Sequence, residues 1–291
     1  MNGIIIIDKP AGWTSMDVCA KLRGILHEKR VGHGGTLDPM ATGVLPVFVG
    51  RATRAVEFCE NAAKRYTCGI RFGIVTDTQD ITGKILSERG HSVSETDLLS
   101  LLPHFLGTQE QIPPMYSAVK IGGKKLYELA RQGKSVERKA RRIEISSISL
   151  AGRENGDYLL DVVCSKGTYI RTLCADIGTK AGCGAAMSYL RRTGAGAFRL
   201  CDALSLDEVI IAAQHGDTSR FLRPVDSLFS ECPSIVICGE SLRRCKNGNA
   251  FSHEGAPDGL LRVYSENGNF LMLGRSDSGM VSTVKSFFDP A

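Results

Sequence analysis

Between residues 32 and 46 the chain reads Gly32-His33-Gly34-Gly35-Thr36-Leu37-Asp38-Pro39-Met40-Ala41-Thr42-Gly43-Val44-Leu45-Pro46, and no other stretch limits the fold as strongly. Glycines at 32, 34, 35 and 43 open backbone conformations that a Cβ closes, so the chain can bend tightly here and let a bulky ligand approach. Pro39 fixes its own φ and pushes Asp38 towards extended backbone, which keeps Asp38 out of any helix and holds it in a defined turn. No second acid lies nearby in the loop, which suits a single nucleophile or base better than hydrolysis by a carboxylate pair. An Asp-Pro among glycines is equally the makings of a structural turn. Any chemistry has to be argued from what accompanies it.

The 291 residues, 43% hydrophobic and 23% charged, are enough for one sizeable core plus a small module and too apolar for a disordered chain. The early apolar run from Ile4 to Ile7 stops at Asp8, far short of a membrane span, and no secretion signal is recognisable, so a cytoplasmic protein is expected. Ten cysteines show neither Cys-x-x-Cys nor paired histidine spacing and read as reduced, mostly buried side chains, with no structural zinc. Net charge is +5, but Lys120, Lys124, Lys125, Arg131, Lys134, Arg138, Lys139, Arg141 and Arg142 face only Glu128 and Glu137 within residues 120–142. That local excess, larger than the net charge of the whole chain, is the footprint expected for a polyanion. The alternative, a solvated helix face, is opposed by Gly122, Gly123 and Gly133.

The pattern predicts a buried strand over residues 3–8, a helix capped by Ser15 with Val18, Leu22, Ile25 and Leu26 on one face, and a strand over 44–49. A helix around 53–61 and a strand around 66–72 follow. Ser94 opens a helix ending near Gly107. Ile143, Ile145, Ile148 and Leu150 read as a strand that changes phase as a bulge requires. After a strand over 158–164, Ile170, Leu173, Cys174 and Ile177 take helical spacing, with Thr168 as cap and Gly182 beyond the end. A strand near 186–191 precedes a capping box at Ser205 to Glu208 and a helix to about Gln214. From Glu231 onward the chain reads as short strands joined by turns at 246–249 and 266–269, a small all-β module. The expected division is a main domain over 1–228, with a basic insertion at about 120–142, and the module over 231–291.

Polar and aromatic residues that do not suit a core gather in the Asp38 loop, in Lys64-Arg65-Tyr66 and in the run from Ser165 to Arg171. Arg171 is the natural partner of Asp38, because a guanidinium favours the ionised carboxylate and orients it through paired hydrogen bonds. Its place in a first helical turn, where a cation is slightly unfavourable, is a mild misfit that points the same way. Tyr66 and Tyr169 offer faces for stacking an extruded base and hydroxyls for proton handling, or else half-buried packing. His33 is a loop histidine or a wedge beside a nucleotide. The loop is not a Walker phosphate loop, since the Gly-Lys-Ser/Thr ending is absent and the sequence places no strand directly before it.

The loop resembles the catalytic motif of the TruB-type tRNA pseudouridine synthases. Other segments agree in order: Asp8 to Ser15, Lys64-Arg65-Tyr66, Thr76 to Gly83, Pro113 to Lys120, Gly167 to Arg171, and Leu190-Arg191-Arg192-Thr193. The resemblance is close over residues 1 to about 200 and loose beyond. It implies an α+β pseudouridine synthase fold, a central, mostly antiparallel sheet flanked by helices and loops, with a small C-terminal PUA-like RNA-binding domain. It also implies isomerisation of uridine 55 in the T-arm of tRNA without cofactor or catalytic metal. By that resemblance Asp38 is the nucleophile, Tyr66 stacks on the base and handles the C5 proton, and Arg171 pairs with Asp38. His33, Tyr169, Leu190, Lys9 and Lys64 would bind the substrate nucleotide. Lys120, Lys124, Lys125, Arg131, Arg141 and Arg142 would grip the RNA. The chain differs from many relatives in carrying Gly34 where they have a hydroxyl residue.

A stand-alone monomer acting on tRNA, with no protein partner and no membrane, is the leading expectation. A guide-RNA-dependent synthase of the same superfamily and a tRNA-folding chaperone with secondary catalysis are the alternatives. The basic segment argues against the former, because a stand-alone enzyme must hold the T-arm itself. Whether Asp38 attacks ribose C1′ or removes a ribose proton to give a glycal is left open.

Overall fold

The structure, a computed structural model, describes residues 1–90 and 93–288. In β1 (Gly3–Lys9), Ile5 and Ile7 face one core while Ile4 and Ile6 face another, and all four are buried. A strand covered on both faces has no reason to alternate, which explains four isoleucines in a row. Helix α1 (Ser15–Leu26) buries Val18, Cys19 and Leu22. Its cap is Thr14 and not the expected Ser15: the Thr14 hydroxyl accepts from the Asp17 N–H, and the Asp17 carboxylate accepts from the Thr14 N–H. Ser15 is buried one position inside, where it accepts from the Leu37 N–H and so anchors the Asp38 loop.

Strand β2 (Val31–His33) runs straight into that loop, correcting the expectation that no strand precedes it, and pairs with β3 (Thr42–Val49). Three residues centred on glycine carry too little apolar pattern to be read as a strand. A 3-10 turn, Gly50–Ala55, runs into α2 (Val56–Asn61), followed by β4 (Lys64–Phe72) and the small hairpin β5 (Ile74–Thr76) and β6 (Ile85–Glu88). Helix α3 (Glu95–Leu101) is capped by Ser94 as expected and precedes β7 (Gly107–Gln111). The basic segment forms the tight hairpin β8 (Lys120–Ile121) and β9 (Lys124–Lys125), then α4 (Leu126–Arg131). Arg141 and Arg142 lie outside it, opening the long strand β10 (Arg141–Glu154), which carries the expected bulge between Ile145 and Ser147. Then come β11 (Asp157–Cys164), α5 (Ile170–Lys180), β12 (Ala185–Ala195), β13 (Phe198–Arg199) and α6 (Leu206–Gln214), capped by Ser205.

The central sheet has the order β1-β3-β12-β4-β11-β10-β7, with β2 on β3 and β13 on β12. Every pairing in it is antiparallel except β12 with β3. Helix α5 lies against β12 at the middle of the sheet. Thr168 does not cap it: the Thr168 hydroxyl donates to the Ser165 carbonyl, and the cap residue Tyr169 uses no side chain.

Beyond the 3-10 turn Val225–Phe229, β14 (Ser234–Ile237), α7 (Gly239–Lys246), β15 (Phe251–Ser252), β16 (Gly259–Ser265), β17 (Phe270–Asp277) and β18 (Met280–Ser286) build a second, five-stranded sheet around Ile235, Ile237, Leu261, Val263 and Val281. Helix α7 corrects the all-β expectation. It packs only Leu242 and Cys245 on the module, two apolar positions that are too few to establish a period, and residues 246–249 are its end rather than a strand turn. The turn at 266–269 joins β16 to β17 as expected. Phe229 packs edge-on against Phe58 at 5.2 Å, and Phe270 stacks on Phe287 at 5.3 Å. Leu273 and Phe287 share a core with Ile4, Ile6 and Phe48, so the module is docked on the central sheet. Among the described residues no helix is long and apolar enough to cross a membrane.

Gly178 sets how closely α5 approaches the sheet: a Cβ there would lie 2.1 Å from the Ala185 nitrogen and 2.5 Å from the Ala185 Cβ. Alanine gains about 1 kcal/mol of helix propensity over glycine, whereas overpacking against backbone costs about 1–3 kcal/mol or more. Gly178→Ala is expected to be net destabilising by about 2 kcal/mol in urea unfolding. A stabilised variant would show that α5 can shift freely on the sheet.

Candidate active site

A cavity of about 410 Å³ opens beside the Asp38 loop, lined among others by Asp38, Lys64, Tyr66, Tyr169, Arg171, Leu190 and Arg192. The Asp38 carboxylate, its side chain 37% exposed, is held by both arms of Arg171: Nε lies 2.9 Å from Oδ2, and Nη2 donates to Oδ1 at 3.3 Å. Arg171 is itself buried and also donates to the carbonyls of Thr78 (2.9 Å) and Tyr116 (2.8 Å). Asp80 adds a second carboxylate 3.8 Å from Nε. Its own Oδ1 accepts from the Thr78 and Thr82 hydroxyls and the Thr82 N–H, so it is committed to its turn. Charge-assisted, two-point bonding fixes the Asp38 carboxylate in direction while one edge remains open to the cavity.

The fold positions each partner by a separate local device. The Asp38 carbonyl accepts from the Ala41 N–H, closing a turn with Pro39 at its second position. Where that loop enters β3, Gly43 has φ +100°, and any Cβ would stand 2.2 Å from the Arg192 carbonyl oxygen; only glycine lets β12 approach. At the head of α5 the buried Gln111 replaces a side-chain cap: its Oε1 accepts from the Tyr169 N–H at 2.8 Å, and its Nε2 donates to the Tyr169 carbonyl at 3.1 Å. Arg171 is thus held from two residues away.

Lys9 and Lys64 serve differently from their expected roles. Lys9 is 0% exposed and does not line the cavity; its Nζ donates to the carbonyls of Pro10 (2.8 Å), Trp13 (2.6 Å) and Pro39 (3.3 Å), tying the Asp38 turn to β1. Burial lowers its pKa from the usual 10.5 to about 8, with Asp38 opposing the shift. Lys64 does line the cavity, yet its Nζ is spent on the Cys59, Glu60 and Ala62 carbonyls, capping the end of α2. Burial lowers its pKa as well. Neither ammonium is free to reach a substrate. His33 lies in β2 outside the lining, with Nδ1 buried and unpaired, and desolvation, then the Arg192 charge, lowers its pKa. Burial raises the pKa of Tyr66, so the phenol holds its proton.

Tyr66, Tyr169, Leu190 and Arg171 therefore converge on Asp38 as the sequence suggests, while His33 and Lys9 stand behind the wall. Arg192 and Gln111 were not foreseen. The signal for Arg192 is the pair Arg191-Arg192 in a strand, where successive side chains take opposite faces and one must turn inward. Arg191 bonds Asp8 at 2.6 Å, and Arg192 is the buried one. For Gln111 no local signal exists. On the RNA side, Lys120, Lys124, Arg131, Arg141 and Arg142 are exposed and form no ion pair among the described residues. Lys125 is half-buried, with Nζ 3.2 Å from the Tyr127 hydroxyl.

Below pH 8 the buried Lys9 ammonium carries a desolvation cost that is relieved as pH rises from about 8 to 10.5, because the unfolded chain then binds more protons than the folded one. The stability of the wild type relative to Lys9→Met is expected to rise by up to about 3 kcal/mol across that window. Urea unfolding at pH 8, 9 and 10 checks this; parallel pH profiles would show that Lys9 titrates normally in the folded state.

Residues 23–170 match the family model described as TruB family pseudouridylate synthase (N terminal domain), and residues 171–230 match tRNA pseudouridylate synthase B C-terminal domain. The chain is 39% identical over 292 residues to tRNA pseudouridine synthase B of Clostridium kluyveri, covering 99% of this chain and 100% of that protein. It is 42% identical to tRNA pseudouridine synthase B of Ectopseudomonas mendocina, covering 100% and 97%. Among solved structures, a Cbf5-Nop10-Gar1 complex superposes with a TM-score of 0.74 at 27% identity, covering 99% of this chain and 85% of that one. The C-terminal curled sheet fits a PUA-like domain. With family models covering the Asp38 loop and α5 alike and relatives aligned end to end, the chain belongs to the TruB family of tRNA pseudouridine synthases, isomerases that convert uridine in tRNA to pseudouridine.

Proposed function

We propose that this protein isomerises uridine 55 in the T-arm of tRNA, as a stand-alone monomer, with Asp38 as nucleophile on a flipped-out uridine. The observation that carries the reading is the Asp38 carboxylate, pinned at both oxygens by a buried Arg171 on the wall of a base-sized cavity. The uracil must leave its glycosidic nitrogen, turn over and rejoin through C5, so the base has to be extruded and water kept out. Leu37, Ile170 and Leu190 make the apolar part of that wall. Tyr66 stacks on the base and handles the C5 proton. Asp38 either attacks C1′, giving an ester that C5 later displaces, or removes a ribose proton to give a glycal. In both routes Arg171 holds the carboxylate in place.

The division into a catalytic part, residues 1–228, and an RNA-binding module, 231–291, belongs to the same proposal, as does RNA contact by the exposed basic residues. The Tyr116 carbonyl accepts from Arg171, and Ser117 and Ala118 line the cavity just before the β8–β9 hairpin. The basic segment is thus rooted in the site it would serve. Whole-length relatives named for tRNA, at 39% and 42% identity, favour a stand-alone enzyme over a guide-dependent one, and turnover on bare tRNA decides between them.

Asp38→Asn, nearly isosteric, is expected to abolish pseudouridine formation at position 55 while tRNA affinity stays within about threefold. Mapping of pseudouridine in bulk tRNA after incubation tests reaction and position together, and retained turnover would remove Asp38 as nucleophile. Replacing Lys120, Lys124 and Arg131 together by glutamine is expected to weaken tRNA binding and flatten the slope of log K against log salt by about two. An unchanged slope would remove this surface as the RNA footprint.

A further inference from the structure

Arg192 is a buried cation of the pocket without a counter-ion. It is 1% exposed, lines the cavity and joins no ion pair among the described residues. Its Nε donates to the Val44 carbonyl at 2.7 Å and its Nη2 to the Gly35 carbonyl at 3.1 Å. These bonds orient the guanidinium without neutralising it, and the Tyr66 hydroxyl is a further, uncharged hydrogen-bond partner. Of the other buried cations, Arg171 is paired with Asp38, and each lysine fills its three N–H donors with three carbonyls, whereas Arg192 has donors left over. A guanidinium does not shed its proton in a protein, and an unpaired buried charge costs on the order of several kcal/mol. The compensating anion has to come from what fills the cavity.

Strand register says where that anion sits. Arg192 on β12 stands directly opposite Tyr66 on β4, and directly opposed residues of an antiparallel pair project to the same face. A bulge follows between Arg192 and Gly194, a device that re-aims side chains next to active sites. The guanidinium thus shares a wall with the ring assigned to base stacking, and its charge opposes the rise that burial imposes on the Tyr66 hydroxyl pKa. The Arg192 charge also lowers the pKa values of His33, Lys64 and Lys9 and opposes the burial-driven rise at Cys59.

We propose that Arg192 is a further catalytic residue, which holds the uracil ring as the anion it becomes while the glycosidic bond is open. This rests on the reading of the cavity as a uridine site. The electron pair of the C1′–N1 bond passes to the ring as Asp38 bonds C1′ or removes a ribose proton. The pair is used again when C5 bonds C1′, as the Asp38 carboxylate leaves C1′ in the first route or returns its proton to the ribose in the second, and the C5 proton then passes to N1, so the overall change is an isomerisation. The other anion a flipped nucleotide carries is its phosphate. Depth favours the base, because Arg192 is buried while the exposed Lys166 stands at the rim.

Single-turnover pseudouridine formation at saturating tRNA, together with filter-binding affinity, tests this on wild type, Arg192→Lys and Arg192→Gln. Arg192→Gln is expected to slow the chemical step at least about 100-fold with affinity within about threefold, and Arg192→Lys to stay within about tenfold of wild type. An unchanged Arg192→Gln rate overturns the proposal. So does weakened binding with a normal chemical step, the mark of a phosphate contact, or an equal loss in both variants, the mark of packing through Val44 and Gly35. Should the variants fail to fold, the wild type still decides: barbiturate, a uracil-shaped ring that is anionic at neutral pH, is expected to inhibit turnover at least about tenfold more strongly than uracil. Equal inhibition, or none from either, overturns the proposal. Wild-type protein that makes no pseudouridine in tRNA removes the uridine-site reading itself, whereas active wild type with an active Arg192→Gln variant removes only this inference.

Discussion

The Arg171 guanidinium, 4% exposed, meets the Asp38 carboxylate, the Thr78 carbonyl and the Tyr116 carbonyl from the first turn of α5, and every other feature of the site depends on that convergence. Those partners come from three segments that are remote in sequence. A cation at a helix N-terminus works against the helix dipole by a few tenths to about 1 kcal/mol. The carboxylate and the two carbonyls offset that opposition and the desolvation of the charge, provided all are in place together. The arrangement is therefore cooperative: the Asp38 loop, the β5–β6 hairpin and the segment leading into the basic hairpin are ordered by one group, and in ordering it they assemble the cavity.

Around this knot the chain uses buried cations against main-chain carbonyls. Lys9 ties the Asp38 turn to β1, Lys64 closes α2, and Arg192 links the start of the loop to β3. Carbonyl oxygens satisfy the donors but leave the charge, so the site carries a positive excess before substrate arrives, with Asp38 and Glu60 as the acids of its lining. Such a site suits an RNA substrate and the anionic character that develops when a nucleobase parts from its sugar. Burial first, and the Arg192 charge to a lesser degree, lowers the pKa values of both lysines.

Much of the architecture was legible because it follows from local periodicity and capping. The Ser94 and Ser205 capping boxes, the two-faced strand β1, the bulge in β10 and the end of α5 at Gly182 all announce themselves within a few residues. What went astray has equally local reasons. Thr14 and Ser15 are both good caps, and only burial of Ser15 under Leu37 decides between them. Helix α7 is eight residues long with only Leu242 and Cys245 packed on the module, too short an apolar stripe to stand out.

The sequence alone determined the chemistry available to this protein: a lone acid in a glycine-and-proline loop, an arginine able to pair with it, tyrosines to stack a base, and a basic stretch for a polyanion. Residue types and short-range spacing carry that information because a side chain's acidity, shape and charge travel with it wherever the chain folds. The tertiary structure decided which of those residues face the cavity. It turned Lys9 and His33 behind the wall, spent Lys64 on a helix end, moved Arg141 and Arg142 into the main sheet, and brought in Arg192 through strand register and Gln111 through a contact across the sequence. Those outcomes depend on pairings between distant segments and on which polar groups lose water, and neither is written in the spacing of any one stretch.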